Sequence, residues 1–327
     1  MILMPAKYIV SKEPVLKRII IKSRILLRYL SYLHIPKKSL QSETVFFIVD
    51  PCVKQAGLAD RLKAIVCTYY IAKYNDFSFK LYFRFPFDLE KYLLPNKVDW
   101  HCELKELDKS IFSSRLGRYL GELPIPILKK GRQYHYYWYR GKDLLRYLYS
   151  DEKDGEEKWK NSFNCCFNEL FQLSPYLSNL VDKVGLTPRT YISVHFRFVN
   201  SLGVFEGNLK KFPVLSSEKQ SVLINKCLNY LDEIAKENIG MPIVVFSDSM
   251  KFLNICKSNG YDNIGGGSIG NVAFSNGVES EDKTMVDFFI IGRSYKVYSV
   301  VLPGMYGGVF SEYAALIGNA QFQRLKD

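Results

Sequence analysis

Two side chains that can bind anions or transfer protons, His195 and Arg197, lie two positions apart in the segment YISVHFRFVNSLGVFEG, residues 191–207. The β-branched and aromatic start of this segment predicts a strand, so His195 and Arg197 leave it on the same face. The planar fork of an arginine matches phosphate oxygens, and a histidine can hydrogen-bond a ligand or transfer a proton. Asn200 and Glu206 follow in a polar, glycine-containing stretch. Because open α/β sheets bind ligands at the carboxyl ends of strands, the pattern indicates an anion site; a structural core histidine beside a surface arginine is the alternative.

A second predicted strand in the same half also ends in polar residues. The apolar run at 243–246 predicts a buried strand, and Ser247, Asp248 and Ser249 follow it. Asp248 in that position can accept hydrogen bonds from a ribose hydroxyl or a base. Capping of the helix predicted to run to residue 256 explains these residues equally well, so both interpretations stay open.

The last third of the chain carries the remaining candidates of this half. The predicted elements are a helix, a strand, a glycine-rich loop and a small-residue helix, at 282–293, 295–301, 303–308 and 313–317. Asp287 lies inside the first of these helices. Phe310, Ser311 and Glu312 lead into the second. Backbone amides at a helix start can hold anions.

The first half predicts a strand–helix–strand unit, the building block of a doubly wound sheet. The predicted strands are 45–49 and 79–83, and the helix between them spans 58–74. The turn into this helix reads GLADRL. Its first residue, Gly57, allows a ligand to approach the backbone, and Arg61 follows in the first turns. The alternative is ordinary capping, with Arg61 in solvent.

The middle of the chain is less regular. RQYHYYWYR, at 132–140, interleaves aromatic and basic residues. It predicts a buried strand, with a platform that stacks sugar rings or bases as the alternative. Helices are predicted at 156–173 and 176–184, and residues 187–189 are the expected hinge.

The residues around His195 resemble the H-x-R-x-x-D signature of the α1,2/α1,6- and protein O-fucosyltransferase superfamily. Asn200 stands where that signature has its aspartate. The turn at 57–62 is similar to the superfamily's G-L-G-[DN]-R-[LI] element, with Ala59 in place of the second glycine. VVFSDS, at 244–249, resembles its second block. The helix, strand and Phe-Ser turn at 282–311 resemble its third block, apart from a longer loop before the Phe-Ser turn.

The resemblance implies a bacterial-type member with GT-B architecture. That architecture is an α/β fold with two Rossmann-like lobes facing an inter-lobe cleft. The implied parts are a basic amphipathic segment, an acceptor-side lobe and a nucleotide-sugar-binding lobe, at 1–40, 41–187 and 188–327.

The implied activity is inverting, metal-independent transfer of L-fucose from GDP-fucose to a hydroxyl of a glycan or lipid-linked oligosaccharide, in surface polysaccharide or glycoconjugate synthesis. Arg197 would stabilise the leaving diphosphate, and Glu206 would take the acceptor proton. Asp287 would bind guanine, and Ser311 with nearby amides would bind phosphate. The other expected nucleotide-sugar contacts are His195, Asn200, Asp248, Phe310, Glu312, Gly57 and Arg61. Another GDP- or UDP-sugar donor, or a non-catalytic carbohydrate-binding relative, are the alternatives.

No cofactor and no metal are expected. No aspartate has another aspartate two positions away, so the D-x-D motif of metal-dependent transferases is missing from the sequence. Arginine and backbone amides would neutralise the diphosphate instead. The chain has 7 cysteines without C-x-x-C spacing, which favours a reducing compartment over a disulfide framework.

The positive charge is concentrated at the N-terminus. Of the net charge of +12, residues 1–40 contribute +8, from nine Lys and Arg against Glu13 alone. Residues 14–34 predict a basic amphipathic helix, which can lie on an anionic membrane surface or pack on the protein with its basic face in water. Since the rest is only mildly basic, no nucleic-acid partner is expected. No apolar run is long enough for a transmembrane helix, so the expected location is cytoplasmic, or peripheral on the inner face of the plasma membrane.

Overall fold

The computed structural model describes residues 23, 26–31, 43–50, 57–110, 112–139, 142–203, 213–265 and 277–327. Within these ranges the chain is a mixed α/β protein with two parallel sheets, one from each half. The α/β class predicted from the sequence is confirmed, whereas the predicted lobe boundaries stay a prediction. No helix in these ranges is both long and apolar enough to span a bilayer.

The predicted strands and helices occur in the predicted order, and further short elements lie between and after them. The strands are β1 (Thr44–Val49), β2 (Ser78–Phe83), β3 (Leu93–Pro95), β4 (Ser114–Tyr119), β5 (Gln133–Tyr139), β6 (Phe171–Leu173), β7 (Ile192–Phe196), β8 (Ile243–Ser247), β9 (Asp262–Asn263), β10 (Lys296–Val301) and β11 (Gln321–Lys326). The α-helices are α1 (Leu58–Tyr74), α2 (Leu144–Leu148), α3 (Gly155–Leu170), α4 (Pro175–Asp182), α5 (Ser217–Glu237), α6 (Met250–Ser258), α7 (Val278–Arg293) and α8 (Phe310–Gly318). Short 3₁₀ helices lie at Leu89–Lys91 and Leu104–Glu106.

The first sheet has the strand order β2–β1–β5–β4, and each neighbouring pair is parallel. The predicted unit β1–α1–β2 is confirmed. The helix α1 begins after Gly57, and Asp60 in its first turn and Lys73 in its last turn complement the helix dipole. Most residues around the helix axis of α1 are buried, so the helix is held between the sheet and the helices that pack on it.

The aromatic and basic segment near residue 135 forms a central strand, as its alternation predicts. β5 lies between β1 and β4, and His135 is completely buried. The ring of His135 packs edge-on against Phe46 at 5.1 Å and hydrogen-bonds the Gln133 carboxamide at 2.8 Å. These contacts support the buried-strand interpretation over an exposed platform.

The helix predicted for 156–173 ends earlier than its apolar pattern indicates. Residues 171–173 form β6, which pairs antiparallel with β3. Ser174 caps the next helix by accepting from the amide of Leu177, and Pro175 occupies the first helical position. A proline keeps the preceding residue extended, so the chain leaves the helical conformation before it.

The second sheet has the strand order β11–β10–β7–β8–β9, again with parallel pairs throughout. The helices α5, α6, α7 and α8 connect successive strands. The strands predicted near 192, 243 and 296 are confirmed. β11 was not predicted, because its half-exposed edge position carries polar residues rather than an apolar run.

The helices α7 and α8 cross with their backbones in contact. A Cβ on Gly318 would lie 2.0 Å from the carbonyl oxygen of Gly292, so only glycine fits there. Both helices also share one continuous core with α1 and α3 of the first half. The start of α8 is therefore positioned by both halves of the chain.

Candidate functional site

The second sheet reverses its direction of growth between β9 and β10. From β7 the chain builds outward through β8 and β9, and then returns to place β10 on the other side of β7. Open parallel sheets bind ligands at such a switch point, outside the carboxyl ends of the strands. Arg197 follows β7 directly, and the loop 302–309 follows β10. The topology therefore brings the predicted H-x-R pair and the predicted Phe-Ser turn to one place.

Arg197 packs against the loop after β10. Its carbonyl oxygen accepts a hydrogen bond from the amide of Tyr306 at 2.9 Å, and its guanidinium carbon lies 5.4 Å from the centre of the Tyr306 ring. A Cβ on Gly308 would lie 3.2 Å from the Tyr306 ring and at an ordinary contact distance of 3.6 Å from Cδ of Arg197, so the ring of Tyr306 is the tighter neighbour of this glycine. Its Nε is buried, and the guanidinium finds no hydrogen-bond acceptor and no ion-pair partner within the described ranges. Its donors are available to a ligand there.

Asp248 holds the turn that follows Arg197. Its two carboxylate oxygens accept from the amides of Phe198 at 2.8 Å and Val199 at 3.0 Å. Val199 has a φ of +55°, an unfavourable conformation for a β-branched residue. Burial raises the pKa of Asp248, while Arg197 and the two amides oppose the shift. The helix cap, which was the alternative role for this segment, is provided by Ser249, whose hydroxyl accepts from the amide of Phe252.

His195 is buried in the middle of the sheet, with 9% of its surface exposed. It pairs in register with Ser299 of β10 and Phe246 of β8, and its ring centre lies 5.7 Å from that of Phe310. Burial lowers the pKa of His195 to about 3, and the charges of Arg197 and Arg324 add to the shift. The imidazole is therefore neutral at physiological pH and offers one donor and one acceptor.

Acid is expected to destabilise the fold through two neutral histidines that are buried in the described part of the chain. Burial lowers the pKa of both His135 and His195 to about 3, whereas an unfolded histidine takes up a proton near pH 6.5. Because the unfolded state then binds more protons, the free energy of unfolding should fall by about 2 kcal/mol per histidine between pH 7 and pH 5. Urea unfolding at pH 7, 6 and 5 measures this loss, and His195→Gln should remove one share of it. An unchanged pH dependence in His195→Gln would contradict the assignment.

The start of α8 offers further donors. Its N-cap, Val309, provides no side-chain cap, so the first amides of the helix have no side-chain acceptor from that position. Ser311 is completely buried, and its hydroxyl has no hydrogen-bond partner in the part of the chain that the structure describes. The ring of Phe310 lies between His195 and Phe288, at 5.1 Å from the latter. Uncapped amides, a buried hydroxyl and a helix dipole together suit an anion.

Arg324 joins this group although the sequence did not identify it. Ser299 of β10 pairs with His195 on one side and with Arg324 on the other, so the three residues form one row across the sheet. Nη2 of Arg324 donates to the carbonyl of Gly308 and to the carboxylate of Glu312, each at 3.0 Å. The residues 321–326, QFQRLK, carry no strict alternation that would have predicted its strand, because Phe322 and Leu325 are three positions apart.

Two predicted nucleotide contacts are already engaged with other side chains. Glu312 pairs with Arg324 and with Arg146 of the first half, the latter at 2.9 Å. Asp287 pairs with Lys283, one turn earlier in α7, at 2.5 Å between Nζ and Oδ1. Burial raises the pKa of Asp287, and Lys283 opposes the shift. Direct contact of Glu312 or Asp287 with a nucleotide stays a prediction.

The other predicted residues are distributed over both halves. Asn200 lies in the turn after Arg197 and is 5% exposed, whereas Glu206 lies outside the described residues. Gly57 precedes α1, and a Cβ there would meet no atom of the described residues within 4 Å, so their packing does not require a glycine. Arg61 is completely buried and donates to the carbonyl of Phe85 at 3.2 Å, and burial lowers its pKa to about 10. The alternative of a solvent-exposed Arg61 is wrong.

Comparison with solved structures shows which proteins have a similar fold. No family model and no curated protein sequence matches the chain. A crystal structure of the fucosyltransferase NodZ from Bradyrhizobium matches with a TM-score of 0.51 at 10% identity, over 84% of this chain and 93% of that one. NodZ, an α1,6-fucosyltransferase, was also crystallised with GDP, and that structure matches with the same TM-score. A point mutant of Arabidopsis thaliana FUT1 in complex with GDP matches with a TM-score of 0.53 at 10% identity, over 92% of this chain and 73% of that one. The predicted resemblance to the fucosyltransferase superfamily is confirmed at the level of the fold.

Proposed function

We propose that this protein is a glycosyltransferase that moves L-fucose from GDP-fucose to a hydroxyl of a glycan acceptor. The observation that carries the proposal is the guanidinium of Arg197, which lies at the switch point of the second sheet without an acceptor in the described ranges. The start of α8 follows the adjacent strand and adds amides and the buried Ser311 hydroxyl. The GDP complexes of two proteins with this fold support a GDP-sugar as the donor.

The diphosphate is the part of the donor on which charge grows during transfer. Arg197 donates to the leaving phosphate and stabilises that charge more in the transition state than in the bound donor. The amides at the start of α8 and the Ser311 hydroxyl supply additional donors. His195, with a pKa of about 3, hydrogen-bonds the nucleotide or phosphate as a neutral ring rather than as an acid. These groups replace a metal ion in the proposed reaction.

The reaction is a single displacement with inversion. The acceptor oxygen attacks the anomeric carbon on the face opposite to the diphosphate, and the bond from that carbon to the phosphate oxygen breaks. The electron pair of this bond leaves with GDP, and the acceptor proton passes to a base, for which Glu206 is the candidate. Glu206 lies outside the described residues, so this role rests on the sequence. Lys283 pairs with Oδ1 of Asp287, and no described residue donates a hydrogen bond to Oδ2. Oδ2 can therefore accept a hydrogen bond from guanine.

A screen of sugar nucleotides tests the proposal. GDP-fucose, GDP-mannose and UDP-sugars are incubated with the protein and a mixture of glycans, and released nucleotide is measured with and without EDTA. The expected result is GDP release from GDP-fucose that depends on protein and acceptor and that EDTA does not change. Release from another sugar nucleotide would replace the donor but keep the transferase. Glycan binding without any nucleotide release would instead favour a non-catalytic carbohydrate-binding protein.

We also propose that the N-terminal segment lies on an anionic membrane surface. Most of the predicted helix at 14–34 lies outside the described residues, but 26–30 are helical. Leu26, Leu27 and Leu30 are exposed by 59%, 64% and 47%, while Arg28 turns inward, pairs with Asp50 and stacks on the Tyr137 ring at 3.5 Å. The outward face is thus apolar in a segment of high positive charge, which suits a membrane with anionic lipid.

Vesicle sedimentation is expected to show binding that depends on both charge and apolar contact. Vesicles with phosphatidylserine should bind the protein, and pure phosphatidylcholine vesicles should bind it roughly tenfold less. Leu26→Gln combined with Leu30→Gln should also weaken binding about tenfold. Ile127→Gln is the matched control, because Ile127 is 87% exposed elsewhere on the surface. Equal binding of the double variant and the control would reject the proposal.

A further inference from the structure

A buried carboxylate of the first half is the centre of a hydrogen-bond network that reaches α8. Asp143 is 6% exposed and caps α2, accepting from the amides of Leu145 and Arg146 with Oδ1. Cys67 of α1 also donates to Oδ1, at 3.4 Å. Oδ2 accepts from the indole of Trp159 at 3.0 Å and from the hydroxyl of Tyr313. Segments from α1, α2, α3 and α8, and thus from both halves of the chain, therefore meet at one side chain.

Tyr313 is the member of this network that lies in α8, two residues after Ser311. It is 2% exposed, and its ring packs edge-on against Phe163 at 5.2 Å. Burial and the neighbouring Asp143 raise the pKa of Tyr313, so its hydroxyl keeps its proton and always donates. A hydrogen bond to a buried carboxylate is among the stronger ones in proteins.

The neighbouring residue of α8 is held by the same part of the first half. Glu312 pairs with Arg146 at 2.9 Å, and the guanidinium of Arg146 lies 4.4 Å from the centre of the Trp159 ring. Arg146 follows Asp143 in α2, so both contacts to α8 come from one short helix and its cap. The start of α8 is thus attached at two consecutive residues.

The helix needs such attachment to serve as an anion site. α8 has 9 residues and no side-chain cap at its N-terminus, and a helix of that length is marginal on its own. Donors stabilise a developing charge only when they are held in place before the reaction. We propose that Asp143 is a positioning residue of the donor site, which fixes the first turn of α8 through the hydroxyl of Tyr313. The functional part of this inference rests on the proposed function.

The test is Tyr313→Phe, which removes only the hydroxyl and keeps the ring packing. Tyr191→Phe is the matched control: Tyr191 is 1% exposed and donates its hydroxyl to the carbonyl of Ile290, in α7 rather than α8. In the unliganded protein, hydrogen exchange of the amides at 313–317 should become about tenfold faster in Tyr313→Phe and stay unchanged in Tyr191→Phe. GDP should bind about tenfold more weakly to Tyr313→Phe, with a matching rise in donor KM and no change in acceptor KM.

Three outcomes decide between the possibilities. Slower-exchanging or unchanged amides at 313–317 in Tyr313→Phe would overturn the positioning role. An equal loss of GDP affinity in both variants would also overturn it, because any lost buried hydroxyl would then have the same effect. If the wild-type protein binds no GDP, the proposed function fails, and the exchange comparison alone decides whether Asp143 fixes the start of α8.

Discussion

Replacement of Arg197 with alanine is expected to lower kcat/KM for sugar transfer by about 10²–10³-fold. The guanidinium is the group best placed to neutralise a leaving diphosphate, and within the described ranges it has no other acceptor. Its removal therefore breaks no structural hydrogen bond that the structure records. The free energy of unfolding should change by about 1 kcal/mol or less, through the loss of packing on Tyr306 and of its charge near Asp248. Steady-state kinetics with GDP-fucose and urea unfolding measure the two quantities.

Two further variants separate the geometry of Arg197 from its charge. Arg197→Lys keeps the charge but not the planar fork, and it should lose roughly tenfold in kcat/KM. Arg293→Ala removes an arginine of the same half that forms a partly exposed ion pair with Asp182, and it should leave turnover unchanged. Turnover of Arg197→Ala within a few-fold of wild type, in a folded protein, would reject the role of the guanidinium and with it the observation that carries the proposed function.

The elements that the sequence predicts well are those in which local pattern and tertiary position agree. The helix α1 has apolar residues at helical spacing and is buried on most sides, so its predicted bounds 58–74 match the observed Leu58–Tyr74. The strand β7 is apolar and central, and His195 and Arg197 lie at its carboxyl end, as predicted; the strand order of the structure makes this end a switch point. The Phe-Ser turn was also placed beside a helix start, although α8 begins at Phe310 rather than at 313.

The contacts that the sequence does not reveal are those between segments far apart in the chain. Arg324 reaches the site because β11 pairs with β10, and an exposed edge strand has no apolar run to predict it. The bond from Tyr313 to Asp143 joins residues 170 positions apart, and neither residue belongs to a motif. The apolar pattern of residues 171–173 predicts that they continue the preceding helix. They are extended instead, because strand pairing with β3 and the following Pro175 favour an extended chain. Local periodicity predicts where helices and strands lie, whereas the positions of these residues are set by contacts between elements that are far apart in the chain.

Asp248→Ala is expected to reduce both stability and activity, because the carboxylate hydrogen-bonds the backbone turn that directly follows Arg197. Without it the amides of Phe198 and Val199 lose their acceptor, at roughly 1–3 kcal/mol for each buried amide. Part of that loss is offset, because the substitution also removes a buried charge whose raised pKa reflects its desolvation, so we expect a net loss of about 2–3 kcal/mol in the free energy of unfolding. The turn contains Val199 at a φ of +55°, and a strained turn without its acceptor should relax and move Arg197 away from the diphosphate. We therefore expect kcat/KM to fall by about 100-fold at a temperature where the variant is folded.

Asp232→Ala is the control: it removes an exposed carboxylate that accepts from Tyr261, and it should change stability by about 0.5 kcal/mol or less. If Asp248→Ala loses stability but transfers sugar at the wild-type rate, the turn is structural and the position of Arg197 does not depend on it.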